Sequence, residues 1–258
     1  HRAAKRGLRP DSPAEQGALA PGDPKRPRPW TVDECRTFLR DIAEDRLANL
    51  YRLILFTGMR RGEAIGLRWQ DVDLARACLS VEQQITEVRG RGVVGTPKTK
   101  RGTRVIPIDD GTVAMLRRHQ EMQDVERTAW GPAWNDAGLV FTREDGRPLR
   151  PEYATRHFQA LAKRSCLPAI RLHDLRHTNA SLALEAGVEM KVVSDRLGHS
   201  QISVTADLYT HVNEPVGRAA ADKIAGALKS PVETLPSAFL AQSPENDPPK
   251  GGAADAHP

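Results

Sequence analysis

The chain has 258 residues, of which 39% are hydrophobic and 28% charged, and this composition is expected of a soluble protein with an ordinary core. A membrane span is excluded because no run of about 18 apolar residues occurs, and the basic start of the chain lacks the apolar segment of a secretory signal. The formal net charge of +5 points to an anionic partner.

The basic residues are unevenly distributed. Residues 1–29 contain seven basic and three acidic side chains, whereas residues 30–215 contain 27 basic and 25 acidic ones. Any DNA-binding surface in the middle of the chain must therefore come from local clustering. One cluster runs from Arg89 to Arg104, with six basic residues and no acidic one. Taken alone, such a cluster is equally compatible with a solvated surface and with nucleic-acid binding.

The cysteines and the first residue bear on cellular context. Cys35, Cys78 and Cys166 are far apart and form no CxxC pair, which argues against a disulfide framework and against a cysteine zinc site. We therefore expect reduced thiols in a cytoplasmic protein. The sequence does not begin with Met, from which we expect it to be part of a longer chain.

The first predicted helix follows a basic, proline-rich segment, 1–29, that is typical of a linker. Thr31 followed by Glu34 matches a capping box, which predicts that a helix begins here. The helical pattern continues until Gly58, and a second, short helix is expected around Gly62–Leu67.

Two segments of alternating polarity, Cys78–Val88 and Arg104–Ile108, flank a glycine-rich stretch. They predict a small antiparallel sheet whose hairpin tip, 96–102, carries the basic cluster. Residues 230–258 have the composition of a disordered tail. The predicted fold class is α+β, mostly helical, with one small antiparallel β-sheet. The remaining predicted elements are helices at Asp110–Ala129, Glu152–Ser165, His173–Ala186, Met190–Leu197, Ile202–His211 and Glu214–Lys229, and a short strand at Leu139–Phe141.

Two basic residues in the first half of the chain could act on a phosphate. Arg60 follows a glycine break directly before a helix, where backbone amides also favour anions. Lys98 lies at the predicted hairpin tip, from which a lysine can reach a neighbouring groove and deliver a proton. Each signal by itself is weak, because most such arginines only solvate a helix end and most such lysines belong to a solvated turn.

The segment His-Asp-Leu-Arg-His-Thr is the strongest single signal. A spacing of three along a helix puts His173 and Arg176 on one face, with about 5–6 Å between their Cβ atoms. The histidine can exchange a proton while the guanidinium holds a phosphate oxygen. His173 and His177 are also spaced like the histidines of a zinc hydrolase helix, which is a remote alternative. Asp174 stands where that motif has glutamate, and no clear third ligand follows.

The last segment is Leu-Gly-His-Ser at 197–200, followed by Tyr209. A histidine after a glycine helix stop is usually a surface residue, and a tyrosine on an apolar helix face usually belongs to the core. In this order, however, the four segments resemble the tyrosine recombinase (phage integrase) family over about residues 30–215. That family has arginine in T-G-x-R-x-x-E, a hairpin lysine, H-x-x-R on a helix, L-G-H, and a nucleophilic tyrosine about nine or ten residues further on.

The resemblance implies an enzyme that breaks and rejoins DNA at specific sites through a 3′-phosphotyrosine, with no cofactor and no metal. Lys98 is preferred to Lys100 as the general acid because the family has a small residue after this lysine. Glu63 is expected to support the site. The implied catalytic residues are Arg60, Lys98, His173, Arg176, His199 and the nucleophile Tyr209. The expected DNA contacts are Arg89, Arg91, Lys100, Arg101 and Arg104.

The resemblance also implies a domain organisation and partners. A catalytic domain at 30–215 would follow the linker, and a helix at 216–229 would either dock on a neighbouring protomer or fold back on its own domain. The expected partners are a double-stranded DNA recombination site and, on DNA, three further copies of the chain in a homotetramer. No association with a membrane is expected. We expect a cytoplasmic protein that associates with the nucleoid when it binds DNA. The family's N-terminal clamp domain is expected outside this sequence, because residues 1–29 are too short for it.

Two related functions remain open at this point. One is a DNA-binding relative that has kept the fold and lost catalysis. The other is strand passage of the type IB topoisomerase kind, which uses the same chemistry without site preference. The L-G-H-S segment and the short chain favour the recombinase.

Overall fold

The computed structural model describes residues 28–96 and 102–198. Within these ranges the chain forms seven α-helices and five short strands. The helices are α1 (Val32–Asp41), α2 (Ala48–Thr57), α3 (Arg61–Ile65), α4 (Asp110–Trp130), α5 (Pro151–Arg164), α6 (Asp174–Glu185) and α7 (Met190–Leu197). The strands are β1 (Val72–Asp73), β2 (Cys78–Val81), β3 (Gln84–Val88), β4 (Arg91–Gly95) and β5 (Arg104–Pro107). None of the helices described is long and apolar enough to cross a membrane.

The first helix begins where the capping box predicts. The Thr31 hydroxyl accepts a hydrogen bond from the Glu34 backbone N–H, and the Glu34 carboxylate accepts one from the Thr31 backbone N–H. The predicted continuous helix is wrong, however, since α1 and α2 are separate. The Asp45 carboxylate between them accepts from the backbone N–H of Leu47 at 2.9 Å, a local bond that competes with helix formation. Helix α2 ends at Gly58, whose φ of 67° favours glycine.

The strands form two small antiparallel sheets where one was predicted. One sheet has the order β1-β2-β5, and β3 pairs with β4 in a separate hairpin. The tip of that hairpin is Arg89-Gly90, where both residues have positive φ, as tight two-residue hairpin turns require. The predicted tip at 96–102 is therefore wrong: these residues follow β4 in the connection to β5, and 97–101 lie outside the described residues.

Aromatic side chains from α1, α2, α5 and the segment just before α1 form the centre of the core. Trp30, Phe38, Tyr51 and Phe158 are buried and pack at tilted or edge-on angles, with 5.4 Å between the ring centroids of Phe38 and Phe158. Helix α2 lies against α3, α4 and α6. This packing brings the loop after α2 next to α6.

The predicted strand at Leu139–Phe141 is wrong. Leu139 forms only an isolated antiparallel bridge with Arg68, although Leu139, Val140 and Phe141 are all buried. The apolar run therefore reflects burial rather than strand pairing.

Candidate active site

Arg60 caps the N-terminal end of α3, two residues after the turn at Gly58. Its backbone N–H donates to Glu63 Oε2 at 2.9 Å, and its Nη1 donates to Glu63 Oε1 at 2.6 Å. The side chain remains 37% exposed. The glutamate thus fixes the direction of the arginine without covering it.

Glu63 is 1% exposed and has a second arginine partner. Arg104 Nη2 donates to its Oε2 at 2.9 Å and Arg104 Nη1 to its Oε1 at 3.2 Å. Burial opposes ionisation of this carboxyl. The hydrogen bonds and charge of Arg104, together with the backbone N–H of Arg60, outweigh burial and hold the pKa of Glu63 below its ordinary value. The site therefore contains a buried carboxylate between two guanidinium groups.

Arg176 is 2% exposed and joins two parts of the chain. Its Nη1 donates to the Gly58 carbonyl at 2.7 Å and its Nη2 to the Leu197 carbonyl at 2.6 Å. Burial, and next the charge of Arg60, lower the pKa of Arg176 to about 9, so that it remains charged at neutral pH. A guanidinium has five N–H donors, and these two bonds do not exhaust them.

Three consecutive carbonyls at the end of α7 accept hydrogen bonds from three different arginines. The pairs are Arg104 Nε to Arg196 O (2.8 Å), Arg176 Nη2 to Leu197 O (2.6 Å) and Arg60 Nη2 to Gly198 O (3.4 Å). The last carbonyls of a helix lack intrahelical partners and carry the negative end of its dipole, which explains why cations gather there. Gly198 ends the helix with a φ of 68°. The arginines therefore hold the residue that directly precedes position 199.

His173 is the N-cap residue of α6, and its ring packs edge-on against His177 with 5.0 Å between centroids. The residue is accessible to solvent. The surrounding protein nevertheless removes enough water to lower the pKa of His173 to about 4, and the neighbouring His177 and Arg176 act in the same direction. His173 is therefore neutral at pH 7. Next to it, buried Asp174 accepts hydrogen bonds from the backbone and side chain of Arg171.

A cleft of about 900 Å³ opens beside these groups. Arg60, Arg61, Arg171 and His173 line it, together with the buried Glu63. Arg176 is not among the residues that line it. The cleft thus offers cationic groups and a neutral imidazole to a ligand. Arg176 lies outside the lining but donates to the Gly58 carbonyl, in the loop that precedes Arg60.

Residues 31–215 match the family model described as the phage integrase family, which covers most of the chain. The chain belongs to the phage integrase family.

Known members of the family align with this chain over only part of their own length. The chain is 33% identical over 195 residues to a tyrosine recombinase XerC-like protein of Caldanaerobacter subterraneus subsp. tengcongensis, covering 71% of this chain and 50% of that protein. It is 30% identical over 215 residues to the ICEBs1 integrase of Bacillus subtilis, covering 83% of this chain and 58% of that protein. The chain therefore spans about half the length of these relatives.

Solved structures agree on the fold. The Tn1549 transposon integrase in complex with transposon right end DNA superposes with a TM-score of 0.68 at 24% identity, covering 79% of this chain and 68% of that one. XerA recombinase superposes with a TM-score of 0.61 at 22% identity, covering 79% and 66%. These neighbours confirm the mostly helical α+β fold.

The fold brings together four residues that the family motifs indicate: Arg60, Glu63, His173 and Arg176. These come from two segments more than 100 residues apart and converge on the cleft and on the end of α7. The predicted site residues outside the described part of the chain are Lys98, Lys100, Arg101, His199 and Tyr209.

The three remaining predicted DNA contacts differ in placement. Arg89 and Arg91 are exposed at and beside the tip of the β3–β4 hairpin, where a polyanion could reach them. Arg104 has a side chain that is only 7% exposed, and it pairs with Glu63. This placement does not support a DNA contact for Arg104. Sequence reasoning missed the pairing because 41 residues separate the partners and no local spacing links them.

The zinc alternative finds no donor set in the described ranges. No group of three or more His, Cys, Asp or Glu side chains is arranged there to hold a metal ion. His173 and His177 pack edge to face, and Asp174 is engaged by Arg171. The phage integrase motifs account for these residues better.

Proposed function

We propose that this chain is the catalytic part of a site-specific DNA recombinase that cleaves and rejoins strands through a 3′-phosphotyrosine on Tyr209. The observation that carries the proposal is the convergence of three residues: Arg60 and His173 line one cleft, and the charge of the buried Arg176 acts on both of them. The transition state of phosphoryl transfer carries extra negative charge on its non-bridging oxygens, and fixed cations stabilise that charge. Family membership of the chain supports the same chemistry.

In this proposal Arg60 is the arginine that meets the scissile phosphate first. It is exposed on the cleft, and Glu63 holds its guanidinium in one orientation. Arg176 contributes a second positive charge from the buried side, using donors that Gly58 and Leu197 do not occupy. Two cations would then stabilise the negative charge that metal ions stabilise in most phosphoryl-transfer enzymes.

The proton transfers are divided between His173 and Lys98. A tyrosine hydroxyl with an ordinary pKa near ~10 needs a proton acceptor at neutral pH, and a neutral His173 can accept that proton. Lys98 would protonate the departing 5′-oxygen, and His199 would add a hydrogen bond to the phosphate. The anchoring of Gly198 by Arg60 supports a place for His199 at the same phosphate.

The proposed substrate is a double-stranded DNA recombination site, contacted at its backbone by Arg89, Arg91, Lys100 and Arg101. We further propose a homotetramer on DNA, with the segment 216–229 docking on a neighbouring protomer. The basic, proline-rich segment 1–29 would be a linker, and 230–258 a disordered tail. The protein would act in the cytoplasm, at the nucleoid when bound to DNA.

The decisive experiment is incubation with a nicked suicide DNA substrate, followed by detection of a covalent protein–DNA adduct. Tyr209→Phe is expected to abolish the adduct while DNA binding stays close to wild type, because only the nucleophilic oxygen is removed. Tyr153→Phe is the matched control, since Tyr153 is 48% exposed and should leave the adduct unchanged. Tyr51 is a poor nucleophile, because it is buried and its hydroxyl donates to the Ala154 carbonyl.

Each alternative gives a distinct result in this assay. An adduct that persists in Tyr209→Phe would place the nucleophile on another residue. Specific DNA binding by the wild type without any adduct would indicate the inactive relative. Adduct formation together with relaxation of plasmids that contain no recombination site would indicate a topoisomerase.

A further inference from the structure

Arg104 begins β5, yet its guanidinium makes its main contacts outside the sheet. Two of its nitrogens donate to the Glu63 carboxylate, and its Nε donates to the Arg196 carbonyl at 2.8 Å. Its side chain is 7% exposed, so little of it is available to a macromolecule. The residue thus links three elements, β5, α3 and α7.

We propose that Arg104 is a positioning residue for DNA cleavage, which orients Arg60 through Glu63 and holds the end of α7 in place. The inference rests on the proposed recombinase function and adds a residue that acts through others. Arg104 would touch neither the DNA nor the reacting atoms.

The two arginines bind the Glu63 carboxylate symmetrically. Oε1 accepts from Nη1 of both Arg60 and Arg104, and Oε2 accepts from the Arg60 backbone N–H and from Arg104 Nη2. Each oxygen therefore has one bond to each arginine. Without Arg104, half of these bonds disappear and a buried carboxylate has one guanidinium left to neutralise it. That carboxylate would either bind a proton or draw Arg60 out of the cleft.

Strand β5 and helix α7 are joined by hydrogen bonds in both directions. Arg104 in β5 donates to the carbonyl of Arg196, and Arg196 Nη1 in α7 donates to the carbonyl of Pro107 in β5 at 2.9 Å. Strand β5 follows the segment that contains Lys98, and α7 precedes His199. Arg104 is thereby placed to set the distance between the chain segments that lead to two proposed catalytic residues.

Arg46 provides a matched control. It binds Glu126 through two nitrogens, at 3.1 and 2.6 Å, and donates Nη1 to the Thr142 carbonyl at 2.6 Å. This is the same pattern of one carboxylate and one carbonyl, but Arg46 does not line the cleft beside Arg60. Arg46→Met therefore removes an ion pair with the same bonding pattern, 26% and 22% exposed rather than 7% and 1%, without touching the proposed site.

The test compares Arg104→Met, Arg104→Lys and Arg46→Met in the suicide-substrate assay, with DNA affinity and thermal unfolding measured in parallel. Arg104→Met is expected to slow adduct formation at saturating DNA by roughly 10²-fold, the effect of about 1 Å of misplacement at a reacting centre. DNA affinity should be unchanged. Arg46→Met should keep the wild-type rate, even if it lowers the melting temperature as much as Arg104→Met does.

The pH profile separates positioning from a merely structural role. In Arg104→Met the pKa of Glu63 should rise, because burial is no longer outweighed by the arginine. The active carboxylate would then be lost as pH falls through the raised pKa, so the variant's rate relative to wild type should fall with decreasing pH. Arg104→Lys keeps a charge beside Glu63 and should restore the wild-type pH dependence, with only part of the rate.

Three results would overturn the inference or its basis. No adduct from the wild-type chain would remove the recombinase function on which it rests. A wild-type adduct with a normal rate and pH profile in Arg104→Met would refute the inference alone. Weaker DNA binding with a normal rate at saturation would make Arg104 a DNA contact. Should Arg104→Met not fold, the lysine variant decides, since a wild-type rate in it would exclude a positioning role.

Discussion

Replacement of Arg176 by lysine tests whether the buried guanidinium is needed for its geometry as well as its charge. Arg176 spans the Gly58 and Leu197 carbonyls with two short hydrogen bonds. A lysine has a single ammonium group, which cannot bridge both carbonyls as a planar guanidinium does. Losing one hydrogen bond to a charged group should lower the free energy of unfolding by about 1.5–3 kcal/mol.

The same substitution should also change the charge of the site. The burial that lowers the pKa of this arginine to about 9 would also lower the pKa of a lysine at this position below its ordinary value. The variant would therefore lose its charge at a lower pH than an exposed lysine does. Together with the lost geometry, we expect cleavage to fall by at least ~10²-fold, as for removal of one oxyanion donor.

Adduct formation on the suicide substrate at several pH values measures both effects. A lysine regains its charge as pH falls, so the ratio of variant to wild-type rate should increase from about pH 8.5 to about pH 6.5. Arg46→Lys removes a guanidinium that binds Glu126 and Thr142, and it controls for the general cost of replacing a partly buried arginine. Near-normal cleavage by Arg176→Lys would refute the reasoning, and a rate ratio independent of pH would refute its electrostatic part.

Three further outcomes are expected. In Gly58→Ala, the new Cβ would overlap the Leu197 side chain, and a φ of 67° is strained for a residue with a Cβ, so the melting temperature should fall and cleavage with it; a wild-type melting curve would contradict this. If His173 is the proton acceptor, its lowered pKa keeps it neutral, so the cleavage rate should not fall through His173 protonation between about pH 7 and about pH 5.5. A break in the pH–rate profile near the ordinary histidine pKa of ~6.5 that disappears in His173→Gln would contradict this. Lys98→Ala should slow cleavage by roughly 10²–10⁴-fold, and a bridging 5′-sulfur, which leaves unprotonated, should rescue it; rescue of Lys100→Ala instead would move the role to Lys100.

Local signals in the sequence predicted the ends of several helices. The capping box at Thr31 predicted the start of α1, and Gly58 predicted the end of α2, because each signal depends on hydrogen bonds or backbone angles within a few residues. The pairing of the strands could not be predicted from such local signals. The turn at Arg89-Gly90 divides the region into two sheets, and which strands pair depends on partners distant in sequence.

The sequence by itself determined the family and the identity of the candidate residues. Arg60, His173 and Arg176 lie in short motifs whose order along the chain is specific, so the motifs alone identify them. The spacing of His173 and Arg176 also predicted their proximity, since three residues span less than one helical turn. Lys98, His199 and Tyr209 rest on the same motifs and remain predictions.

Only the tertiary structure decided how these residues are held. Arg104 was expected on the surface with its basic neighbours, and the fold instead turns it inward to Glu63. Likewise, nothing in the sequence indicates that the end of α7 collects three arginines. A charged side chain is exposed or buried according to what packs against it, and here those partners come from segments more than 40 residues away. Burial and pairing of charges are therefore properties of the assembled fold.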